Sequence, residues 1–482
     1  MNIRHLKQPM ILVKNSMLWV LISLLSVAIG VSISFDIVLG LVMLAAPIGL
    51  SLSILLPHMN ITHLLLWIIL WGLILFSHGF INVPMPFTSI PFVEVLAFYI
   101  IVRLFPKWRH FLTISVLKRA FWLLIAVDVV VFARLVFDLP HYGLLALRDS
   151  TFAFELWFLF PAVAIGYKLG IENLRKKLRY LFAGIIIYLL SFPFREVIYK
   201  FSPVVGIRAP LPLFQYQGGY IVASGLFYFV FIERNPVIAI VMTVLTLLDI
   251  LIIQSRGVYL AVLFSSVLIL VLYGKTLFTR LRRLVFLVPV VLFALVVSYP
   301  FLSSLPGRLT QVSFETLINQ LGTLIGREGP GSGSLYHRLF VWHQILMDSL
   351  STPARVLFGS GLGPDLFGGF TTERGIIVRK PHNDFLEVFA RLGAVGFVSW
   401  VLFILNLVVC SINLSRTKIE YAWILALQVV VLITSLSQPA MSFAYVTMVW
   451  TGLTGLWLGA RVRERGVGTQ LTRSKPLHST RW

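Results

Sequence analysis

Stretches of about 17 to 20 apolar residues recur along this chain, separated by short polar turns. A segment of that length, wound as an α-helix, spans the hydrocarbon core of a bilayer. The runs fall near 17–34, 37–56, 61–80, 91–105, 120–137, 151–169, 180–193, 219–232, 236–253, 257–273, 284–300, 384–411, 421–437 and 442–460. Those at 180–193 and 219–232 are short; without them the layout keeps the same end topology. The sequence therefore predicts an all-α polytopic membrane protein of twelve to fourteen transmembrane helices. Composition agrees: 58% of residues are hydrophobic and only 12% charged, against roughly a quarter charged in soluble domains. A net charge of +21 then points to lipid headgroups and cytoplasmic loops rather than to nucleic acid. The basic N-terminus reads as leading into a retained first span, because no small-residue cleavage site stands out. The one cysteine, Cys410, lies in an apolar run and offers no intrachain disulfide.

Charge distribution orients the bundle. With the N-terminus in the cytoplasm, 26 of the 40 Lys and Arg fall on the inner side and 12 on the outer, as the positive-inside rule requires. Both termini are then expected in the cytoplasm. The outer cations gather in two longer loops, 194–218 and 301–383. The chain divides into an N-terminal transmembrane bundle (1–300), a large outer loop (301–383), and C-terminal helices with a basic tail (384–482). Within the large loop, GREGPGSGS reads as a flexible linker. LYHRLFVWHQILMDSL places Leu335, Leu339, Val341, Trp342, Ile345 and Leu346 at helical spacing, which predicts an amphipathic helix on the membrane or over the mouth of the bundle. FGSGLGPDLFGG reads as a glycine-rich turn.

The chemistry-bearing residues concentrate on the outer side. Arg256 stands at a span boundary, Arg338 on the loop helix, and Arg379, Lys380 and His382 at the end of the loop. If the loop folds over the bundle, these groups converge on one cavity. Guanidinium forks match phosphate oxygens, so an anionic, phosphorylated ligand is expected. His382 and Asn383 open a helix that enters the membrane, where free N–H groups and the helix dipole attract anions. The same field disfavours a charged imidazole, leaving a neutral His382 able to accept a proton or orient a hydroxyl. The plainer alternative is that the cations anchor headgroups and that Asn383 caps the helix. No DxD, HExxH or P-loop pattern is present, so neither metal nor cofactor is expected.

PHNDFLEVFARLGAVG, with His382, Asn383, nine residues, then Gly393 and Gly396, resembles the signature of the O-antigen ligase and polymerase superfamily. QSRGVYL around Arg256 resembles its Ser-Arg-Gly segment. YHRLFVW, with Arg338 and Trp342, resembles its Arg-x-x-x-Trp segment, and FGSGLGP resembles its glycine-rich run. The order and the side of the membrane also agree. The resemblance implies a metal-independent glycosyltransferase of the bacterial inner membrane, active at the periplasmic face. Its donor would be a glycan on undecaprenyl diphosphate, and its acceptor lipid A–core for a ligase or a second lipid-linked glycan for a polymerase. Arg256 and Arg338 would then bind the diphosphate, and His382 would activate or orient the acceptor hydroxyl. Backside attack would invert the anomeric centre. Ligase is the slightly favoured reading, polymerase the alternative, and a lipid-linked sugar transporter the reading from a different class.

Other polar residues carry two readings each. Glu387 and Arg391 are four apart and either neutralise one another or leave Arg391 to touch ligand. Asp249 lies two turns before Arg256 on the same face and is expected to help orient it. Glu94, Asp128 and Glu155 lie in or near spans. His337 and His343 flank Arg338. Trp342 is an interface anchor or a sugar platform, and Arg195 and Arg208 add cations to the smaller outer loop.

Overall fold

The computed structural model describes residues 61–84, 91–206, 211–285, 299–300, 303–308, 310–324, 332–367, 379–416, 418–438 and 443–464. The expected spans at 17–34 and 37–56, and most of 284–300, lie outside them, as does Arg208. The described residues are helical almost throughout. Helices α1 (Ile61–Ile81), α2 (Phe92–Trp108), α3 (Ser115–Tyr142), α4 (Leu144–Leu156) and α5 (Leu159–Leu189) form the first half. A short helix α6 (Arg195–Phe201) and a two-stranded antiparallel hairpin, β1 (Val204–Val205) with β2 (Leu211–Pro212), follow. Then come α7 (Val222–Phe231), α8 (Pro236–Ile253) and α9 (Arg256–Val285). The loop carries α10 (Phe314–Leu324), α11 (Ser332–Ser349) and α12 (Pro353–Phe358). The chain closes with α13 (Asp384–Ser415), α14 (Ala422–Ser435) and α15 (Ala444–Glu464). Six stretches among the described residues are long and apolar enough to cross a membrane: α1, α3, α4 through α5, α8, the first 19 residues of α9, and α13. The protein is an all-α polytopic membrane protein.

Local sequence explains where the helices begin and break. Asn235 caps α8, its Oδ1 accepting from the Val237 and Ile238 N–H groups at 3.0 and 3.3 Å, and Pro236 occupies the first turn, where its missing N–H costs nothing. The cationic stretch 168–179, which reads as a loop, instead continues as helix after a break at Gly170 (φ +72). Ion pairs neutralise it: Arg175 meets Glu172 and Glu420, and Arg179 meets Glu233 at 2.5 Å. The separate spans expected at 151–169 and 180–193 are therefore one long element with a bend.

Helix association in a bilayer rests on close packing and interhelical hydrogen bonds rather than on the hydrophobic effect. Glycine supplies the closeness between α5 and α15. A Cβ at Gly459 would come within 1.9 Å of the Val163 carbonyl oxygen, and one at Gly166 within 2.0 Å of the Leu456 carbonyl oxygen. Side-chain hydrogen bonds add the polar link between α14 and α15. The Gln428 amide donates to Thr454 Oγ1 at 3.0 Å and accepts from the Trp450 indole N–H at 2.7 Å.

The loop helix α11 packs against α13. Val341 and Ile345 are buried with Phe367 and Ala390, whereas Leu339 and Leu346 are exposed. The helix is present where expected, but its buried stripe passes through Val341 and Ile345, not Leu339 and Leu346. The contact with α13 dictates that rotation.

Candidate active site

Two breaks in helical geometry shape one end of the bundle. Between α8 and α9, Gln254 takes a left-handed conformation (φ +47). Its side chain bonds the Thr310 N–H and the Thr310 and Gln311 carbonyls, each at 3.1 Å. This pins the start of the loop to the start of α9, where Arg256 stands. The same break means that Asp249 and Arg256 do not share a helix face. Asp249 is fully buried, and neither carboxylate oxygen has a hydrogen-bond partner among the described residues. The expectation that Asp249 orients Arg256 fails on this point.

The second break lies inside α13, at Gly393 (φ +65). In an unbroken helix the Ala390 and Arg391 carbonyls would bond residues 394 and 395. Here they accept instead from the Ser360 and Gly361 N–H groups of the glycine-rich turn, at 2.6 and 3.1 Å. The two backbones are in contact: a Cβ on Gly393 would lie 2.4 Å from the Leu357 carbonyl carbon, and one on Gly359 would lie 2.4 Å from the Arg391 carbonyl. The glycine pattern around 393 and that around 359 are two halves of one backbone junction.

Three arginines gather near the start of α9. Arg338, on α11, donates to the Ser437 carbonyl at 2.8 Å, and Ser437 lies against Gly257 at the start of α9. Arg308 approaches from the loop, its backbone N–H donating to the Ile252 carbonyl at 3.3 Å. Burial holds the Arg338 guanidinium below its ordinary pKa, and the charges of Arg308 and Arg256 push it further in the same direction. Burial likewise lowers Arg308. Partly desolvated cations that repel one another are stabilised by an arriving anion. Arg195 of the smaller loop reaches the same region, donating to the Gly307 carbonyl at 3.2 Å.

His382 directly precedes the cap of α13. Asn383 is that cap, its Oδ1 accepting from the Leu386 N–H at 3.1 Å. The His382 backbone is left-handed (φ +54), a region that non-glycine residues seldom enter, though histidine does so more readily than branched residues. Its ring stands edge-on to Phe367, with centroids 6.5 Å apart, and the His337 ring lies 5.8 Å from the same Phe367 ring. Burial, reinforced by Arg338 and opposed by Glu387, lowers the His382 pKa to about 4. The imidazole is neutral at physiological pH, as the sequence suggests, with burial as the larger cause. Trp342 donates its indole N–H to the Pro381 carbonyl and so anchors the residue before His382.

The remaining cations named from sequence sit in a different setting. Arg391 is 2% exposed. It meets Glu387 at 3.1 Å and Asp149 at 3.1 Å, and donates to the Pro364 carbonyl at 3.2 Å. Arg379 meets Asp149 at 3.5 Å and donates to the Gly363 carbonyl. Lys380 lies 3.7 Å from Glu387 and 5.0 Å over the Phe443 ring. The structure thus sets Arg338 near His382, with Arg256 and Arg308 near Arg338, and ties Arg379, Lys380 and Arg391 to buried carboxylates. Sequence reasoning missed Arg308, Asp149 and Phe367. Arg308, on the loop, and Asp149, on α4, lie outside the motif segments, Phe367 lies in the glycine-rich turn without being one of its glycines, and the place of each depends on tertiary contacts. Among the described residues no group of three or more His, Cys, Asp and Glu is arranged to hold a metal ion.

Comparison with known families gives one match. Residues 241–401 match a family model described as O-antigen ligase. That interval contains the Arg256, Arg338, glycine-rich and His382 segments. No curated protein matches the chain. Over residues 241–401 this membrane protein is similar to the O-antigen ligase family.

Proposed function

We propose that the protein transfers a glycan from undecaprenyl diphosphate to an acceptor hydroxyl at the periplasmic face of the bacterial inner membrane, with both termini cytoplasmic. Lipid A–core is the acceptor in the reading we favour, which makes the protein an O-antigen ligase. The observation that carries this reading is the gathering of Arg256 and Arg308 around Arg338, which in turn acts on a neutral His382 at the head of an apolar helix.

The chemistry follows from that set. The acceptor oxygen attacks the anomeric carbon from the side opposite the diphosphate. The bond to the diphosphate breaks, and the lipid diphosphate leaves with the electron pair. The arginines offset the negative charge that builds on the leaving oxygen, in a partly desolvated site where such contacts are stronger than in water. The hydroxyl proton passes to His382 and then to water. An imidazole with a pKa of about 4 is a weak base, so it accepts the proton late, once the attacking oxygen has become acidic through bond formation. Before that it orients the hydroxyl by a hydrogen bond. Single displacement inverts the anomeric centre. Neither a nucleotide nor a metal is called for in this scheme.

Arg195 favours a second reading. Its contact with Gly307 brings the smaller loop to the same end, where a second lipid-linked chain would be held, as a polymerase requires. The deciding experiment is a reconstituted transfer assay with undecaprenyl-diphosphate glycan, with and without lipid A–core, in the presence of chelator and without nucleotide. Glycan on lipid A–core is the expected product. Longer lipid-linked glycan without core would replace ligase by polymerase. No product from folded protein would remove the transferase reading in favour of transport.

A further inference from the structure

The scheme above makes no use of Asp149, although this residue pairs with arginines on both sides of His382. Asp149 lies on α4, and its side chain is fully buried. Its Oδ2 accepts from the Gly363 N–H at 3.1 Å, pairs with Arg391 at 3.1 Å and with Arg379 at 3.5 Å. Arg148 stands 3.6 Å from Oδ1. Arg379 comes three residues before His382 and Arg391 nine after it, so one carboxylate grips both flanks of the histidine together with the glycine-rich turn. A parallel tie runs from Asp138, whose Oδ2 accepts from the Leu362 N–H at 2.7 Å. The turn is seated closely: a Cβ on Gly363 would lie 2.3 Å from Tyr142.

His382 needs such support. A left-handed backbone at a non-glycine residue persists only where its surroundings impose it. Trp342 fixes the residue before it and the Asn383 cap the residue after it, but both belong to the loop and to α13. Of the ties named here, those of Asp149 and Asp138 bind this assembly to α3 and α4. We infer that Asp149 is a positioning residue: through Arg379, Arg391 and Gly363 it sets His382 against the arginine cluster. This inference rests on the proposed role of His382. It gives Arg379 and Arg391 the task of transmitting position, in place of ligand contact.

The test uses the full-length protein purified in lipid nanodiscs, with Asp149→Asn as the first variant. Two quantities are read. One is kcat against KM in the transfer assay. The other is the rate at which diethyl pyrocarbonate modifies His382, followed by peptide mass spectrometry, which requires no turnover. We expect Asp149→Asn to fold, to keep the donor KM within a few-fold, and to lose about a hundredfold in kcat, the scale on which small misplacements act. His382 should be modified several-fold faster. If the lone substitution leaves the arginines unneutralised and the protein unfolds, Asp149→Asn with Arg391→Gln removes both charges together, and faster His382 modification is expected there. A folded variant with wild-type kcat and wild-type modification rate would overturn the inference. So would failure of both variants to fold, which would make Asp149 a residue of the fold at large. Should the wild type transfer nothing, the functional reading fails by itself, and the modification rate still decides whether Asp149 positions His382.

Discussion

Two groups of arginines lie at the same end of this molecule and differ in what they face. Arg379 and Arg391 meet buried carboxylates, Asp149 and Glu387, at ion-pair distance. Arg338 meets a backbone carbonyl, and the charges that act on it are those of Arg308 and Arg256. The first group is paired within the protein, as the positioning role inferred above requires. The second holds positive charge concentrated and partly desolvated, which suits it to an anion. The lesson concerns arginines near membranes in general: composition and spacing place them, but their partners decide whether they hold the fold or the ligand.

That contrast can be broken by substitution. Removing His382 should have the largest effect. His382→Ala is expected to lower kcat by roughly a hundredfold or more, the usual worth of a positioned acid–base group. His382→Asn should be equally inactive yet fold well, since asparagine tolerates the left-handed region. Normal turnover in either variant would dismantle the proposed site. Next come Arg338→Ala and Arg308→Ala, each expected to cost about a hundredfold in kcat through lost charge stabilisation. Arg338→Lys should restore little, because an ammonium lacks the fork. Full activity in Arg308→Ala would take that residue out of the anion-binding group.

The paired arginines should behave in the opposite way. Arg391→Ala is expected to lower stability by about 3–5 kcal/mol, as when one partner of a buried pair is removed. Thermal unfolding in nanodiscs would register it. A drop in donor affinity with unchanged melting would instead transfer Arg391 to the ligand group. The pH profile sharpens the comparison further. The unfolded His382 titrates near 6.5 and the folded one near 4, so the stability linked to its neutral form is complete above 6.5 and is lost as pH falls towards 4. Activity should follow the folded value: the acid limb of kcat/KM is expected near 4, and a limb near 6.5 would mean that the imidazole is hydrated. At the small end, Arg355 pairs with Asp348 on the exposed surface. Arg355→Ala should change stability by no more than about 1 kcal/mol and leave transfer untouched.

Much of this was legible in the residue order. The span at 236–253 coincides with α8, and those at 61–80 and 384–411 with α1 and α13 to within a few residues, because hydropathy and capping act locally. The helix bearing Arg338 was legible too, though its rotation was not, since apolar residues surround it and only contact with α13 selects Val341 and Ile345. The positions of Arg256, Arg338, His382 and the glycines were legible through the resemblance of their segments to those of the family. Gly393 is instructive: a glycine in an apolar run marks a break or a close approach, and here it is both.

By itself, then, the sequence determined the helical membrane character, the cationic end and the histidine at the mouth of α13, because these follow from length, periodicity and charge along the chain. Tertiary structure decided which arginines face carboxylates and which face one another. It placed Arg308 beside Arg338, separated Asp249 from Arg256 by the turn at Gln254, and seated Asp149 under the glycine-rich turn. Those outcomes depend on segments distant in sequence meeting at one end of a bundle, 56 residues apart for Gln254 and Thr310 and 214 for Asp149 and Gly363. Electrostatic pairing is a property of distance in space, and periodicity along the chain does not carry it.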